Sequence, residues 1–363
     1  MEDFGQKVDL TQRIREVLLN YPEGTTILKE MIQNADDAGA SQVCFCVDRR
    51  RHAVDSLVSP PLAQWQGPAL LAYNNAAFTE EDFQSISRIG DSKKRGQAWK
   101  TGRFGIGFNS VYHLSDLPSF VSGSHVVFFD PQCQFLPSIS SLNPGKRIDF
   151  VTSTALENFP DQFSPYCAFG CDMRRPFGGT LFRFPLRSAE QAATSKLSKQ
   201  SYTSTDMLEL LRDLYHEIVQ VMLFLKNVER VEFYEWSAGS SSPTLLYSCA
   251  VRLPTSEIRS HRQLFLRLSK GKDAAASEET KDVFRLELVT KAYTGADSGK
   301  ESLSSFLISQ AMGSSASRIG ALATNAFKSY GLRLLPWASV AASILPGKEW
   351  RSKVARFASF RFL

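Results

Sequence analysis

The sequence predicts an α/β protein in which amphipathic helices alternate with strands. Apolar residues recur every three or four positions over residues 10–20 and 25–39, which is the period of an amphipathic helix. They alternate along residues 42–48 and 180–186, which is the period of a strand. A chain of 363 residues, 43% hydrophobic and 22% charged, is long enough for two domains or for one large one.

Two helices are predicted near the start of the sequence. Residues 10–20 carry one apolar face and end at the turn Pro22-Glu23-Gly24. Thr25 is a suitable N-cap for the second helix, which is expected to end at Gly39 because glycine commonly follows a helix. A helix from Thr79 to Ile89 and a long helix at residues 206–227 are also expected.

Strands are predicted on both sides of the long helix. They are expected at residues 42–48, 67–73, 125–130, 180–186, 229–236, 245–253, 263–268 and 283–293. The serine-rich stretch 237–243 is the best linker candidate. It divides the chain into a first domain, residues 1–236, and a partial second domain, residues 244–363.

Charge and cysteine content favour a cytoplasmic or nuclear protein. The net charge of +5 is mild and its charges are interspersed, whereas a nucleic-acid surface needs a concentrated basic patch. The six cysteines show no paired C-x-x-C spacing, so a reduced setting is expected. The first residues are polar and acidic, unlike a signal peptide. The apolar stretch 332–346 is too short to span a membrane, so no membrane partner is expected.

One face of the second predicted helix carries candidate site residues. Glu30, Asn34 and Asp37 are spaced i, i+4 and i+7, so they lie in a row on one side of the helix. From the spacing alone a solvated polar face is favoured, because any amphipathic helix has one. A chemical alternative stays open, since an amide oxygen can bind Mg²⁺ and a nearby carboxylate can orient and deprotonate water.

A glycine-rich stretch indicates a loop that leads into a helix. Gly102, Gly105 and Gly107 lie close together, and an amphipathic run over residues 108–114 follows at once. Glycines let the backbone approach a ligand closely, and free N–H groups at the start of a helix can bind phosphate. An ordinary tight turn is the alternative, and it is the more frequent outcome of clustered glycines.

Basic and polar segments lie on either side of this stretch in the sequence. Residues 91–100 are rich in lysine and arginine with little apolar content, which is typical of a mobile lid over an anionic ligand. Upstream, the predicted strand 67–73 ends at Asn74-Asn75, close to a predicted helix start with a capping box at Thr79 and Asp82. Another basic run, residues 49–52, is interpreted as an exposed hairpin.

Together these motifs resemble the nucleotide-binding signature of the GHKL ATPases, the family of the ninety-kilodalton heat-shock chaperone. The resemblance is carried by E-x-x-x-N-x-x-D-A at residues 30–38, by GRFGIGF at residues 102–108 and by Gly179-Thr180 at a strand start. The stretches KEMIQNADDAGA, YNNAAFTEEDF, TGRFGIGFNSVYHLSD and GGTLFRFPLR are more similar still to the repeated region of sacsin and its plant relatives. The resemblance covers residues 5–235 well and the rest thinly.

The resemblance implies a two-layer α/β sandwich, the Bergerat or GHKL ATPase fold, followed by a partial α+β region. It also implies ATP and Mg²⁺ as cofactors, with ATP between a helix and the lid. Glu30 would polarise the attacking water, Asn34 would bind Mg²⁺ and Asp37 would support that helix face. Thr180 would lie near the adenine. The residues expected to hold the phosphates, largely through their backbone, are Lys100, Gly102, Gly105, Ile106, Gly107 and Phe108.

The chain departs from the family pattern at the adenine site. The usual D-x-G-x-G box is replaced by Tyr73-Asn74-Asn75-Ala76-Ala77, which offers no carboxylate to the adenine amino group. An asparagine oxygen accepts a hydrogen bond without charge assistance, a loss of about 1 kcal/mol. Weak or less adenine-selective binding is therefore expected, with Asn74 rather than Asn75 as the substitute.

Two functions follow as expectations. The first is a Mg-ATP-binding, chaperone-like ATPase module with slow hydrolysis, in which ATP closes the basic lid and regulates protein clients or co-chaperones. The second is a non-hydrolysing protein-interaction scaffold with weakened nucleotide binding. The resembling ATPases dimerise, so a homodimer is a further expected partner. A nucleic-acid-acting relative ranks third, because the basic charges near the end of the sequence are sparse.

Overall fold

The structure, a computed structural model, describes residues 9–87, 107–264, 266, 280–312 and 337–344. In these residues the α-helices are α1 (Leu10–Asn20), α2 (Thr25–Asp37), α3 (Glu80–Ile86), α4 (Ala155–Asn158), α5 (Pro160–Phe163), α6 (Ala189–Thr194), α7 (Ser204–Met222) and α8 (Ser256–Arg262). Short 3-10 helices lie at Pro60–Trp65, Gly107–His113, Ser164–Tyr166 and Gly295–Asp297. None of the helices in the described residues is long and apolar enough to cross a membrane.

The strands form one large mixed sheet. They are β1 (Gln42–Asp48), β2 (Ala69–Asn74), β3 (Ser119–Gly123), β4 (His125–Phe129), β5 (Gly145–Asp149), β6 (Phe177–Pro185), β7 (Arg230–Trp236), β8 (Thr244–Val251), β9 (Thr280–Ala292), β10 (Glu301–Met312) and β11 (Trp337–Ile344). The sheet has 11 strands in the order β11-β10-β9-β8-β7-β1-β2-β6-β3-β4-β5. The β1–β7 pair is parallel, and the other described pairs are antiparallel. The predicted α/β class is confirmed.

One face of the sheet is covered by α2 and α7. Both helices are amphipathic, and their apolar faces are fully buried against alternating strand residues. Full burial of each large aliphatic side chain stabilises the fold by about 1.5–3 kcal/mol. The contacts involve Ile27, Leu28 and Ile32 of α2, Leu211, Leu214 and Ile218 of α7, and Phe45, Phe184 and Phe233 of the sheet.

The opposite face of the same sheet is also covered. Leu71, Val121 and Leu181 alternate with the residues that face the helices, and they pack against a layer of short helices and irregular chain. Trp65 and Phe163 of that layer are almost completely buried. This layer adds a feature that the expected two-layer sandwich does not include.

The stretch predicted as a linker is a hairpin turn. Residues 237–243 connect β7 to β8, and these strands pair antiparallel on either side of the turn. Residues of β8, β9 and β10 contribute to the same apolar core as α2 and α7, including Cys249, Leu286 and Ile308. The division into two domains stays a prediction.

One predicted strand, at residues 263–268, is wrong where the structure describes it. Gln263 is the C-cap of α8 and donates its backbone N–H to the Arg259 carbonyl. The helix begins where the Thr255 side chain accepts a hydrogen bond from the Ile258 N–H at 3.2 Å. The helix that starts at this cap continues to Arg262 and ends at Gln263, so no strand begins there.

Candidate functional site

Helix α2 brings Glu30 against the glycine that begins the 3-10 helix Gly107–His113. A Cβ atom added at Gly107 would lie 2.1 Å from Glu30 Oε2, so glycine lets the carboxylate approach the backbone closely in this rotamer. The two helices also pack against each other. The predicted water-activating carboxylate therefore meets the last glycine of the predicted phosphate-binding stretch.

Tyr21, in the turn between α1 and α2, lies close to the same carboxylate. Burial raises the pKa of the Tyr21 hydroxyl, and the negative charge of Glu30 raises it further. The Tyr21 backbone carbonyl accepts a hydrogen bond of 2.8 Å from Nε2 of His113. Because a carbonyl can only accept, this nitrogen carries the proton. The bond ties the end of α1, just before the turn into α2, to the end of the 3-10 helix.

Asn34 lies one turn beyond Glu30 and is partly exposed. Within the described part of the chain its side-chain amide makes no hydrogen bond. No group of three or more His, Cys, Asp or Glu side chains suited to a metal occurs in the described residues. An amide oxygen such as that of Asn34 is a ligand that Mg²⁺ combines with water and phosphate oxygens.

Asp37 is engaged in a buried ion pair. Its carboxylate accepts from Nζ of Lys226 at 2.8 Å, and the side chains of Asp37 and Lys226 are 1% and 11% exposed. Its neighbour Asp36 accepts through Oδ1 from the backbone N–H groups of Lys226, Asn227 and Val228 at 2.7–3.0 Å. We call Asp36, Asp37 and Lys226 the α2 anchor. It fixes the C-terminal end of α2 to the chain that leads into β7.

The 3-10 helix Gly107–His113 is held from its other end by Arg187. The guanidinium is fully buried and donates to the carbonyls of Tyr112 and His113 at 2.6 and 2.8 Å. It also pairs with the buried carboxylate of Asp116, donating from Nε at 2.8 Å. Ser195 donates a further hydrogen bond to that carboxylate at 3.0 Å. A charge buried this deeply is tolerated because its donors are paired.

Three buried polar side chains cross adjacent strand ends on the face covered by the helices. Asn74 on β2 pairs in register with Thr180 on β6, and Thr180 pairs with Ser122 on β3. They are 8%, 0% and 0% exposed. Farther along the same strands this face is apolar, with Ala72 and Phe182. We call Asn74, Thr180 and Ser122 the polar row.

The polar row also fixes the loop that follows β2. Thr180 donates to the Ala76 carbonyl at 2.7 Å, and Asn74 Oδ1 accepts from the Ala76 N–H at 3.0 Å. Ser122 accepts from the Phe78 N–H at 2.8 Å. The polar row therefore has a structural role, because its hydrogen bonds hold the loop after β2 in place.

The two adjacent asparagines have different surroundings. Asn75 Oδ1 accepts from the N–H groups of Ser41 and Gln42 at 2.9 and 3.1 Å, and its Nδ2 donates to the Ser41 hydroxyl at 2.9 Å. It therefore holds the start of β1. Asn74 lies on the helix-covered face beside Thr180. The preference for Asn74 as the residue nearer to a ligand stays a prediction.

Phe108 belongs to an aromatic cluster next to the polar row. Its ring centroid lies 5.5 Å from that of Phe129 and 5.9 Å from that of Phe182. A groove of about 770 Å³ runs past Phe108 between α1, α3 and the β4–β5 hairpin. Of the predicted site residues that the structure describes, only Phe108 lines this groove. The groove and the Glu30–Gly107 contact are therefore separate features.

The remaining predicted site residues lie outside the described residues. They are Lys100, Gly102, Gly105 and Ile106, together with the basic stretch 91–100. The described residues thus contribute Glu30, Asn34 and Gly107 on the helical side and Asn74 and Thr180 on the sheet.

Sequence reasoning missed the residues that hold this arrangement in place. Asp36 stands directly before Asp37, but nothing in the helix pattern shows that its partners are backbone groups of residues 226–228. Arg187 ends the motif GGTLFRFPLR and Asp116 ends TGRFGIGFNSVYHLSD. The sequence offered a single signal that Arg187 and Asp116 pair, namely that each is a charged residue at the end of its motif.

Comparison with known proteins identifies relatives along most of the chain. A sequence profile described as the Sacsin domain matches residues 7–248. Sacsin from Homo sapiens is 34% identical over 346 residues, which cover 94% of this chain and 7% of that protein. Protein NO VEIN from Arabidopsis thaliana is 29% identical over 134 residues, or 37% of this chain and 4% of that protein. The chain thus spans a small part of the length of either relative.

The solved structures include a match to a "Crystal Structure of N terminal domain of a DNA repair protein". It shares 12% sequence identity, with a TM-score of 0.35 over 86% of this chain and 74% of that one. A similarity this low supports no conclusion about function. The family assignment depends on the sequence matches, and by these the chain belongs to the sacsin domain family.

Proposed function

We propose that the chain is a sacsin-type module that binds Mg-ATP and hydrolyses it slowly, as a chaperone-like ATPase of the GHKL class. The observation that carries the proposal is the contact between Glu30 and Gly107, because it joins the polar face of α2 to the glycine-rich stretch. In this arrangement Glu30 orients the attacking water and accepts its proton.

The residues present fit a magnesium ion bound together with a phosphate ligand. Asn34 contributes one amide oxygen one turn from Glu30, and Mg²⁺ commonly combines few protein oxygens with waters and phosphate oxygens. When bound, the ion would neutralise charge on the phosphates. Asp37 has a different role in this proposal. Paired with Lys226, it fixes the helix that carries Glu30 and Asn34.

Nucleotide binding would regulate the binding of protein clients or co-chaperones. The Glu30 side of the site is tied through His113 and Arg187 to the chain after β6, so a shift of α2 would be transmitted to several elements. The predicted lid, residues 91–100, lies outside the described residues. Its closure over the nucleotide stays a prediction from the sequence.

The second candidate function is a protein-interaction scaffold that does not hydrolyse ATP. One observation favours it: the oxygens of both asparagines at the end of β2 already accept backbone N–H groups, Asn74 from Ala76 and Asn75 from Ser41 and Gln42. The amino group of a bound adenine would have to share one of these side-chain oxygens with a backbone N–H group. Nucleotide binding at this site would then be weak, and the fold would serve its partners without turnover.

Calorimetry with Mg-ATP, followed by phosphate release from wild type and Glu30→Ala, separates the two functions. We expect wild type to bind Mg-ATP and release phosphate slowly. Glu30→Ala should bind with similar affinity and release phosphate about 100-fold more slowly, because it lacks the base. Gln33→Ala, on the same helix, is the matched control and should leave turnover unchanged.

Each outcome bears on one of the two functions. Absence of binding to wild type at millimolar Mg-ATP would overturn the nucleotide proposal. Binding without turnover in wild type would support the scaffold function. Equal turnover in wild type and Glu30→Ala would remove the role given to Glu30.

A further inference from the structure

The hydrogen-bonding groups of the polar row are almost all used within the protein. The Thr180 hydroxyl proton goes to the Ala76 carbonyl, 2.7 Å away. Ser122 accepts from the Phe78 N–H and donates to the Gly179 carbonyl at 2.9 Å. Ser122 Oγ also lies 3.0 Å from Thr180 Oγ1, and both residues are 0% exposed, so neither hydroxyl remains available to a ligand.

Asn74 is the exception in the polar row. Its Oδ1 must be the atom that faces the Ala76 N–H, because an amide nitrogen could not accept that hydrogen bond. The bond therefore fixes which end of the amide is oxygen and which is nitrogen. Asn74 Nδ2 makes no hydrogen bond within the described residues, although the side chain is only 8% exposed. The row as a whole thus offers a ligand one amide donor.

An aspartate at this position would offer acceptors only. A carboxylate favours the 6-amino group of adenine and repels the 6-oxygen of guanine or hypoxanthine. An amide nitrogen has no such bias. It can donate to O6 of a 6-oxopurine, and it can equally donate to N1 of adenine.

We propose that the base site of this chain does not discriminate against 6-oxopurines, and that GTP and ITP bind as well as ATP. Asn74 is the residue that sets this breadth of specificity. The inference depends on the proposed nucleotide function and refines its substrate class, from adenine nucleotides to purine nucleoside triphosphates in general.

Titration calorimetry on the full chain with Mg-ATP, Mg-GTP, Mg-ITP and Mg-CTP tests the inference. We expect the three purine nucleotides to have dissociation constants within about tenfold of one another, and CTP to bind more weakly because its smaller ring buries less apolar surface. In Asn74→Asp the ratio of GTP to ATP dissociation constants should rise by about tenfold or more, because the buried carboxylate leaves O6 without a donor.

Asn75→Asp is the matched control, since it makes the same chemical change one residue later. Its oxygens can still bind Ser41 and Gln42, so the base preference should stay as in wild type. A wild type that binds ATP at least tenfold more tightly than GTP and ITP would overturn the inference and leave the proposed function standing. A ratio of GTP to ATP dissociation constants that is unchanged in Asn74→Asp would also overturn the inference and leave the proposed function standing. If no purine nucleotide binds, the proposed function itself fails.

Discussion

The α2 anchor and the polar row are both buried polar clusters on the helix-covered side of the sheet, yet they differ in how completely they are paired. In the anchor, Asp36 collects three backbone N–H groups and Asp37 pairs with Lys226. In the polar row, an amide nitrogen remains for a further partner. Buried polar groups normally find their partners inside the protein. The difference therefore separates a cluster built for stability from one that can also bind a ligand.

The largest expected effect comes from breaking the anchor. Asp36→Ala should lower the free energy of unfolding by about 3–5 kcal/mol, because it leaves buried N–H groups and the Lys226 ammonium with fewer partners. Urea unfolding followed by circular dichroism measures the change.

Asp206→Ala is the control for that substitution. Its carboxylate accepts from the Thr203 N–H in an exposed capping box, so a loss of about 1 kcal/mol is expected. A loss from Asp36→Ala no larger than the loss from Asp206→Ala would show that the anchor contributes no more than a surface cap.

Acid should distinguish charged clusters from the polar row, which has no titratable group. Burial acts to raise the pKa of Asp48, but hydrogen bonds from His52 and Arg50 and the Arg50 charge outweigh it and lower the pKa to about 2. The depressed pKa adds stability that is complete above the pKa of the unfolded state, about 4, and is lost as pH falls towards 2. We expect the free energy of unfolding to fall by about 2 kcal/mol through this group.

Urea unfolding of wild type and Asp48→Asn between pH 5 and pH 2 measures this contribution. The variant should lose less stability than wild type over that window, since its amide does not titrate. Parallel pH profiles would contradict the assignment to Asp48. Asn74→Asp adds a titratable carboxylate to the polar row, so its pH profile of urea unfolding can also be compared with that of wild type.

The smallest expected effect concerns the backbone beneath the polar row. A Cβ at Gly179 would lie 2.7 Å from the Asn74 carbonyl oxygen and 2.8 Å from the Tyr73 ring, whereas a Cβ at Gly178 would meet nothing within 4 Å. Gly179→Ala should therefore lower the free energy of unfolding by about 1–2 kcal/mol, and Gly178→Ala by clearly less. Thermal unfolding of the two variants measures this, and equal melting temperatures would argue against the close approach.

Local patterns predicted much of the fold. The bounds of α1 and β1 match the expected residues 10–20 and 42–48, because each has a clear apolar period and a cap or turn beside it. The capping box of Thr79 and Asp82 is also observed. By contrast, β10 and β11 were not predicted. Their serine and alanine content gives little contrast between the two faces of a strand.

Contacts between distant parts of the chain limited prediction of the site. The spacing on α2 identified Glu30, but its contact with Gly107 depends on how α2 packs. The polar row arises from strand register across β2, β6 and β3, which the individual strand patterns do not contain. Similarly, the pattern of the basic run 49–52 predicts an exposed hairpin, whereas Arg50 and His52 are held by the buried Asp48 carboxylate. Each case needed a partner from elsewhere in the chain.

The pairing of β7 with β8 decides where the protein can be cut. The Sacsin domain match ends at residue 248, inside β8. A fragment ending at Trp236 would leave β7 as an unprotected edge strand, with free backbone N–H and C=O groups that invite aggregation. A protease that nicks the exposed turn at residues 237–243 would instead leave both pieces joined by the intact β7–β8 ladder.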